Sequence, residues 1–126
     1  GTLNVKYSDN SYLMPASSFP NLYRELAKKG ADFISIPAAF TYTTGLAHWH
    51  SLIRARAIEN GCFVFAPAQV GNHENGRKTY GHSMIVDPWG KVISSATDRK
   101  GIIYAKVDPT LVRKSREKIP SMTSFL

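Results

Sequence analysis

The feature that most constrains this chain is a long helical pattern that ends at a glycine and leads directly into a strand. Apolar residues recur at helical spacing over Gly45–Asn60, and Gly61 suits the end of that helix. The next segment, Cys62–Gln69 (CFVFAPAQ), is rich in residues that favour strands. A helix joined to an apolar strand by one glycine predicts a domain in which the helix packs on a sheet.

Further elements are predicted on both sides of this segment. They are a helix over Phe19–Lys29, a buried strand over Ala31–Pro37, a strand-exit loop over Ala38–Thr44, a polar loop over Val70–Thr79, strands over Tyr80–Asp87 and Lys91–Ser95 around a turn at Pro88–Gly90, a last strand over Gly101–Val107, and a helix over Pro109–Lys118 capped by Asp108. This order of helices and strands favours an α+β sandwich.

Composition narrows the classes of protein that the chain can belong to. No run of 18 apolar residues occurs, which excludes a membrane-spanning helix of ordinary length, and the N-terminus lacks a signal-peptide pattern. The single cysteine, Cys62, cannot form an internal disulfide and is typical of a reducing compartment. We therefore expect a cytoplasmic protein with no membrane partner.

The chain is basic, with 16 Lys and Arg against 9 Asp and Glu and a net charge of +7. A basic surface can attract nucleic acid or anionic substrates. Here the positive charges are scattered in singles and pairs, which favours a solvated basic face over a nucleic-acid site.

Three stretches resemble the C-terminal half of the carbon–nitrogen hydrolase (nitrilase) family, and within it most of all the deaminated glutathione amidases and omega-amidases. They are PAAFTYTTGLAHWH at 37–50, RARAIENGCFVFAPAQ at 54–69 and GRKTYGHSMIVDPWG at 76–90. The resemblance implies half of a four-layer α-β-β-α sandwich built from two packed sheets. It divides the chain into an irregular lead-in at 1–18 that does not match, a family segment at 19–120 and a tail at 121–126.

The resemblance also implies the chemistry: a Cys nucleophile, a Glu base and a Lys, none of which this chain is expected to supply. Counting back from Phe19 places the family's Cys on Met14, whose thioether cannot form a thiolate. No catalytic residue is therefore predicted here, and this chain alone is expected to be inactive. No metal ion and no cofactor are expected.

Two residues of the matched segment are candidates for substrate binding. In omega-amidase-like relatives the residues that match Phe40 and Thr44 line the substrate pocket, so Phe40 would pack on the substrate chain and Thr44 would offer a hydroxyl. Both follow a predicted strand at its carboxyl end, where α/β sheets collect ligand contacts. The alternative is that Phe40 belongs to the core and Thr44 caps a helix that starts at Gly45.

Other polar residues are predicted to be structural. Cys62 lies in an apolar strand and is expected to be an inert core thiol. The pair His48 and His50 points to different faces of a helix, which disfavours a shared metal. Arg56 and Glu59 are three apart and are expected to form an ion pair.

Three functions remain open. The first is a partial amidase that acts on a small amide. The second is a non-catalytic subunit, or a pseudoenzyme, that pairs with a chain carrying the first half. The third is a basic binding protein, which so many matching positions disfavour. Either of the first two predicts a homo-oligomer or a complex with another nitrilase-like chain.

Overall fold

The computed structural model describes residues 20–74 and 76–120. Its elements are helices α1 (Pro20–Lys28), α2 (Tyr42–Asn60) and α3 (Thr110–Lys118), and strands β1 (Phe33–Ser35), β2 (Phe63–Ala66), β3 (Val70–Asn72), β4 (Lys78–Tyr80), β5 (Met84–Val86) and β6 (Val92–Ser95). The predicted mixture of helices and strands is confirmed.

Four of the strands form one sheet in the order β1-β2-β5-β6. β1 and β2 run parallel, while the pairs β2–β5 and β5–β6 are antiparallel. Parallel neighbours need a crossover connection, and α2 supplies it between β1 and β2. The register aligns Ile34 with Val64 and Val64 with Val86, so one apolar row crosses three strands.

The core lies between this sheet and the helices α1 and α2. Trp49, Ile53 and Ala57 recur every four residues along α2, so they share one face, and all three are fully buried. They meet the buried face of the sheet, which includes Ile34 and Val86. Burying a large apolar side chain contributes about 1.5–3 kcal/mol, so this layer is the main source of stability.

Phe33 differs from the prediction of a buried strand centre, because 40% of it is exposed. Successive strand residues point to opposite faces, so Phe33 lies on the side of the sheet away from α2 while Ile34 and Ile36 enter the core. Its ring stacks on Phe63, with centroids 5.5 Å apart. The sheet therefore carries an aromatic cluster on its second face.

Helix α2 begins at Tyr42, within the stretch predicted as a loop, and not at Gly45. Its end agrees with the prediction: Gly61 takes a left-handed conformation, with φ 59°, and its N–H reaches the carbonyl of Ile58. Ion pairing of Arg56 with Glu59 is confirmed, with 2.5 Å between Nη1 and Oε1.

The predicted loop over Val70–Thr79 instead holds the antiparallel hairpin of β3 and β4. Gly71 and Asn72 are weak strand formers, so the sequence did not predict this hairpin. Contacts with the rest of the fold hold it in place, since Thr41 bridges to Thr79 and the N–H of Tyr80 donates to the carbonyl of Phe40 at 2.9 Å.

The single strand predicted over Tyr80–Asp87 is also wrong, because Tyr80 ends β4 and Met84 starts β5. Gly81 and His82 separate the two strands, and both have positive φ. The turn after β5 is confirmed: the Asp87 carboxylate accepts the N–H groups of Trp89 and Lys91, each at 2.9 Å. Trp89, within this turn, is 52% exposed.

The last predicted strand, Gly101–Val107, is not formed. Exposure alternates along it as in a strand, with Ile102 and Tyr104 exposed and Ile103 and Ala105 half-buried. No other segment among residues 20–74 and 76–120 offers it a ladder of backbone hydrogen bonds. Strand propensity alone does not make a strand, because the backbone groups need a partner.

Helix α3 starts at Thr110, one residue later than predicted. The Asp108 carboxylate still holds the start of the helix by accepting the N–H of Thr110 at 3.0 Å. Farther along, the Arg116 guanidinium donates to the carbonyls of Ala31 and Asn60 and faces the Asp32 carboxylate at 3.6 Å. One side chain thus ties α3 to the connection between α1 and β1 and to the C-terminal end of α2.

Replacing Arg116 with alanine is expected to lower the free energy of unfolding by about 1.5 kcal/mol, because hydrogen bonds from a charged donor are lost. Arg113→Ala is the matched control: it lies on the same helix and is 75% exposed in its pair with Glu117. That variant is expected to change stability by less than about 0.5 kcal/mol. Urea denaturation of the two variants checks this, and equal effects would contradict the anchoring role.

Candidate functional site

The site lies where the chain leaves β1 and enters α2. Beyond β1 the backbone stays attached to the neighbouring segment, since the N–H of Ala38 donates to the carbonyl of Pro67 and the N–H of Gln69 to that of Ala38, each at 3.0 Å. This attachment fixes the path of residues 36–41. It delivers Phe40 and Thr44 to the edge of the sheet, beside the β3–β4 hairpin.

Phe40 lies at the border of the core, with 7% of its surface accessible. Its ring packs on Trp49 at a centroid distance of 5.2 Å and an angle of 59°, an arrangement typical of favourable aromatic pairs. Phe40 thus belongs to the core, as the alternative interpretation had it.

Thr44 lies on the exposed surface of the first turn of α2. Its hydroxyl is 2.5 Å from that of Thr41 and 3.2 Å from the Thr41 carbonyl. The expectation that Thr44 caps a helix starting at Gly45 is wrong, because Thr41 occupies the cap position and makes no capping bond with its side chain. Two hydroxyls therefore stand together at the start of the helix.

Three residues near Thr41 and Thr44 could not be assigned to the site from the sequence, namely Tyr42, Lys78 and Tyr80. The Lys78 ammonium lies 4.1 Å from the centre of the Tyr42 ring, and Tyr42 meets Tyr80 edge to face at 5.8 Å. These contacts depend on β4, which was predicted as loop, so Lys78 gave no signal by itself. With them, the site combines hydroxyls, a cation and an aromatic wall, which suits a ligand with both polar and apolar parts.

Gly45 allows this arrangement. A Cβ on Gly45 would lie 2.3 Å from the Cβ of Tyr80, so only glycine lets the first turn of α2 approach β4 this closely.

Two histidines lie beside Tyr80. The ring centroids of His50 and His82 are 6.2 Å apart, and His82 stacks on Tyr80 at 3.9 Å. Desolvation, with smaller contributions from His82 and Arg54, lowers the pKa of His50 below its ordinary 6.5. A lowered pKa in the folded state means that His50 stabilises the fold above about pH 6.5, and that this contribution is lost as the pH falls through the lowered pKa.

The other thiol and hydroxyl candidates are used structurally. Cys62 is fully buried, as predicted, and its thiol lies 3.2 Å from the Ala31 carbonyl. Burial raises the pKa of Cys62, and the adjacent Arg116 opposes this only in part, so the thiol is protonated and unreactive at neutral pH. The Ser83 hydroxyl accepts the N–H of Ala68 at 2.8 Å. Met14, the position predicted from the resemblance to correspond to the family's Cys, lies outside the described residues.

Within the part of the chain that the structure describes, no three His, Cys, Asp or Glu side chains converge as metal ligands would. None of the helices in that part has the length and apolar character needed to cross a membrane.

Comparison with known proteins agrees with this architecture. The sequence profile of the carbon–nitrogen hydrolase family matches residues 16–117. The chain belongs to the carbon–nitrogen hydrolase family. It is 48% identical over 104 residues to a deaminated glutathione amidase of Synechocystis and 46% identical over 102 residues to the rat protein of the same name. These matches cover 82% and 81% of this chain, but 38% and 31% of the relatives.

Solved structures of the family have the same fold. The NitFhit protein of Caenorhabditis elegans superposes with a TM-score of 0.80 at 48% identity, over 83% of this chain and 26% of that one. Nit3 of Saccharomyces cerevisiae, a member of the nitrilase superfamily, superposes with a TM-score of 0.78 at 38% identity, over 82% of this chain and 38% of that one. The predicted fold class is confirmed: the chain spans about a third of a nitrilase-type fold.

Proposed function

We propose that this chain forms the substrate-facing part of an amidase that cleaves a small amide and releases ammonia. The observation that carries the proposal is the 48% identity over 104 residues to a deaminated glutathione amidase. By its name, that relative is an amidase that acts on deaminated glutathione. A compound of this class is the substrate that we propose here.

The resemblance supplies the reaction. A Cys thiolate attacks the amide carbon, the C–N bond breaks, and ammonia leaves with a proton from the general acid. Water then attacks the acyl-enzyme, which releases the carboxylic acid and returns the thiol. The Cys, Glu and Lys of this sequence of steps lie outside the positions matched here, so this chain's contribution is binding.

Phe40 and Thr44 are the binding residues of the proposal. Phe40, whose ring packs on Trp49, would pack on the carbon chain of the substrate. The Thr44 hydroxyl lies on the exposed first turn of α2, where it can exchange its bond to Thr41 for one to a polar group of the substrate.

A second candidate is a subunit without catalytic activity that pairs with another nitrilase-like chain. It is supported by the resemblance, which implies that Met14 takes the place of the family's nucleophile. Either function calls for a homo-oligomer or a complex with a chain that carries the first half, which we place in the cytoplasm. Light scattering that finds only a monomer at about 50 μM, where associations of modest affinity form, would count against self-association.

The test is ammonia release from a glutaramate-type ω-amide by the 126-residue chain, alone and mixed with the preceding part of the Synechocystis relative. We expect no release by the chain alone and measurable release in the mixture. Phe40→Ala and Thr44→Val should each reduce release by the mixture, whereas Thr43→Val, on the same exposed turn, should not. Release by the chain alone that disappears in Cys62→Ser would reveal a different nucleophile and overturn the proposal.

A further inference from the structure

His82 has an unusual backbone. Its φ is 61°, and among residues 20–74 and 76–120 it is the one residue other than glycine with positive φ. Side chains disfavour this region, although His tolerates it better than most residues do. Because Gly81 precedes it with φ 68°, the chain makes two left-handed steps between β4 and β5.

The left-handed conformations of Gly81 and His82 orient the carbonyl and the N–H of His82 toward hydrogen-bond partners. Its carbonyl accepts the indole Nε1–H of Trp49 at 2.8 Å, and its N–H donates to the carbonyl of Thr97 at 3.1 Å. Trp49 is fully buried, so this bond satisfies the one polar group of the ring inside the core.

The His82 side chain turns back on Tyr80. Its Nδ1 lies 2.6 Å from the Tyr80 carbonyl, and the two rings stack at 3.9 Å with 17° between their planes. A carbonyl can only accept, so Nδ1 must carry the proton and donate it. In the neutral ring the lone pair is then on Nε2.

Hydrogen bonds and ring contacts connect Phe40 with Tyr80, Trp49 and His82. The N–H of Tyr80 donates to the Phe40 carbonyl at 2.9 Å, which fixes the backbone of Phe40. Trp49 packs on the Phe40 ring, which fixes its side chain. Both Tyr80 and Trp49 are held by His82, one through its ring and the other through its carbonyl.

We propose that His82 is a positioning residue for the candidate site, which sets the place of the Phe40 ring through Tyr80 and Trp49. Its relevance to substrate binding rests on the proposed function, but the positioning itself does not. The competing explanation is that only the backbone path at His82 matters and that its imidazole fills space.

Two substitutions separate these explanations. His82→Gly keeps the left-handed path, since glycine adopts positive φ freely, but removes the ring. His82→Asn also tolerates this conformation and retains a short side-chain donor for the Tyr80 carbonyl. Both are made in a Trp89→Phe background, in which Trp49 is the only tryptophan and Trp89, being largely exposed, is expendable.

The readouts are the NMR signals of the Trp49 indole N–H and the Phe40 ring, together with the folded fraction from far-UV circular dichroism. We expect His82→Gly to shift the Phe40 ring signals in a folded chain, because the ring contact that holds Tyr80 is lost. The indole signal should stay in place, because the carbonyl of residue 82 still accepts the indole N–H. His82→Asn should reverse most of the Phe40 shift. Unchanged Phe40 signals in His82→Gly would overturn the proposal and leave only the backbone role.

One measurement on the unsubstituted chain guards against variants that fail to fold. The ¹⁵N shifts of the His82 ring should report a proton on Nδ1 at pH 8, and a proton on Nε2 instead would overturn the proposal. None of these readouts needs substrate, so a failure of the proposed amidase function would leave them intact. If the mixture with the preceding part of the relative is active, His82→Gly should raise KM more than it lowers kcat, because it disturbs a binding residue.

Discussion

Replacing Gly45 with alanine is expected to lower the free energy of unfolding by about 2 kcal/mol. In an open helix the same substitution stabilises by about 1 kcal/mol, because alanine is the better helix former. Here the added methyl would lie 2.3 Å from the Cβ of Tyr80, an atom next to the backbone that cannot swing away. Overpacking of this kind costs about 3 kcal/mol at its upper range, which exceeds the gain in helix propensity.

The matched control is Gly101→Ala, since Gly101 lacks positive φ and a Cβ there would have nothing within 4 Å. It should change the free energy of unfolding by no more than about 0.5 kcal/mol. Urea unfolding monitored by circular dichroism measures both variants. A stabilised Gly45→Ala would mean that α2 and β4 are not in close contact in solution, and the placement of Tyr80 beside the candidate site would be wrong.

The contact between Gly45 and Tyr80 shows why some elements could be predicted from sequence and others could not. The end of α2 at Gly61 and the register of its buried face follow from local rules, the left-handed preference of glycine and the helical repeat. The start of α2 does not. Gly45 resembled a helix boundary because glycine is a poor helix former, yet it lies in the first turn since Tyr80 leaves no room for a side chain.

Strands were harder to predict because a strand depends on its partner as much as on its own residues. Val70–Asn72 has weak propensity but forms β3, because β4 offers a ladder and Phe40 anchors β4. Gly101–Val107 has strong propensity but stays unpaired within the described residues. Its alternating exposure has the pattern of a strand, but no partner strand for it lies among residues 20–74 and 76–120.

The residues of the candidate site were likewise predicted only in part from the sequence. Phe40 and Thr44 were identified by resemblance to family positions, and the structure brings them to one edge of the sheet. Lys78 and His82 gave no local signal, because their relation to the site arises from the β3–β4 hairpin and from the two left-handed steps after it. Long-range pairing determines which side chains meet, and single-sequence patterns carry little information about it.

Rebuilding the family's nucleophile segment is expected to give acylation without turnover. The resemblance implies a nucleophile segment of the form Cys-Tyr-Asp-X-Arg-Phe-Pro that ends at Phe19 and Pro20. The substitutions are therefore Met14→Cys, Pro15→Tyr, Ala16→Asp and Ser18→Arg, all outside the described residues. A thiol with an ordinary pKa of about 8.5 is mostly protonated at neutral pH, so it needs a base to take its proton and a cation to hold the developing oxyanion. The resemblance assigns those roles to a Glu and a Lys that lie outside the matched positions.

Mass spectrometry of the rebuilt chain with a glutaramate-type amide should therefore show at most a slow single addition, with no continuing ammonia release. Residues of a catalytic set act as a unit, so restoring one of three recovers little of the rate. Mixing the rebuilt chain with a preceding part of the Synechocystis relative that carries the Glu and Lys should convert the slow acylation into turnover. A Met14→Ser version of the rebuilt chain is the control and should form no thioester.

Turnover by the rebuilt chain alone would require a base within this chain. The first variants to examine would then be His48→Gln and Glu59→Gln, and the structural roles given to those side chains would have to be abandoned.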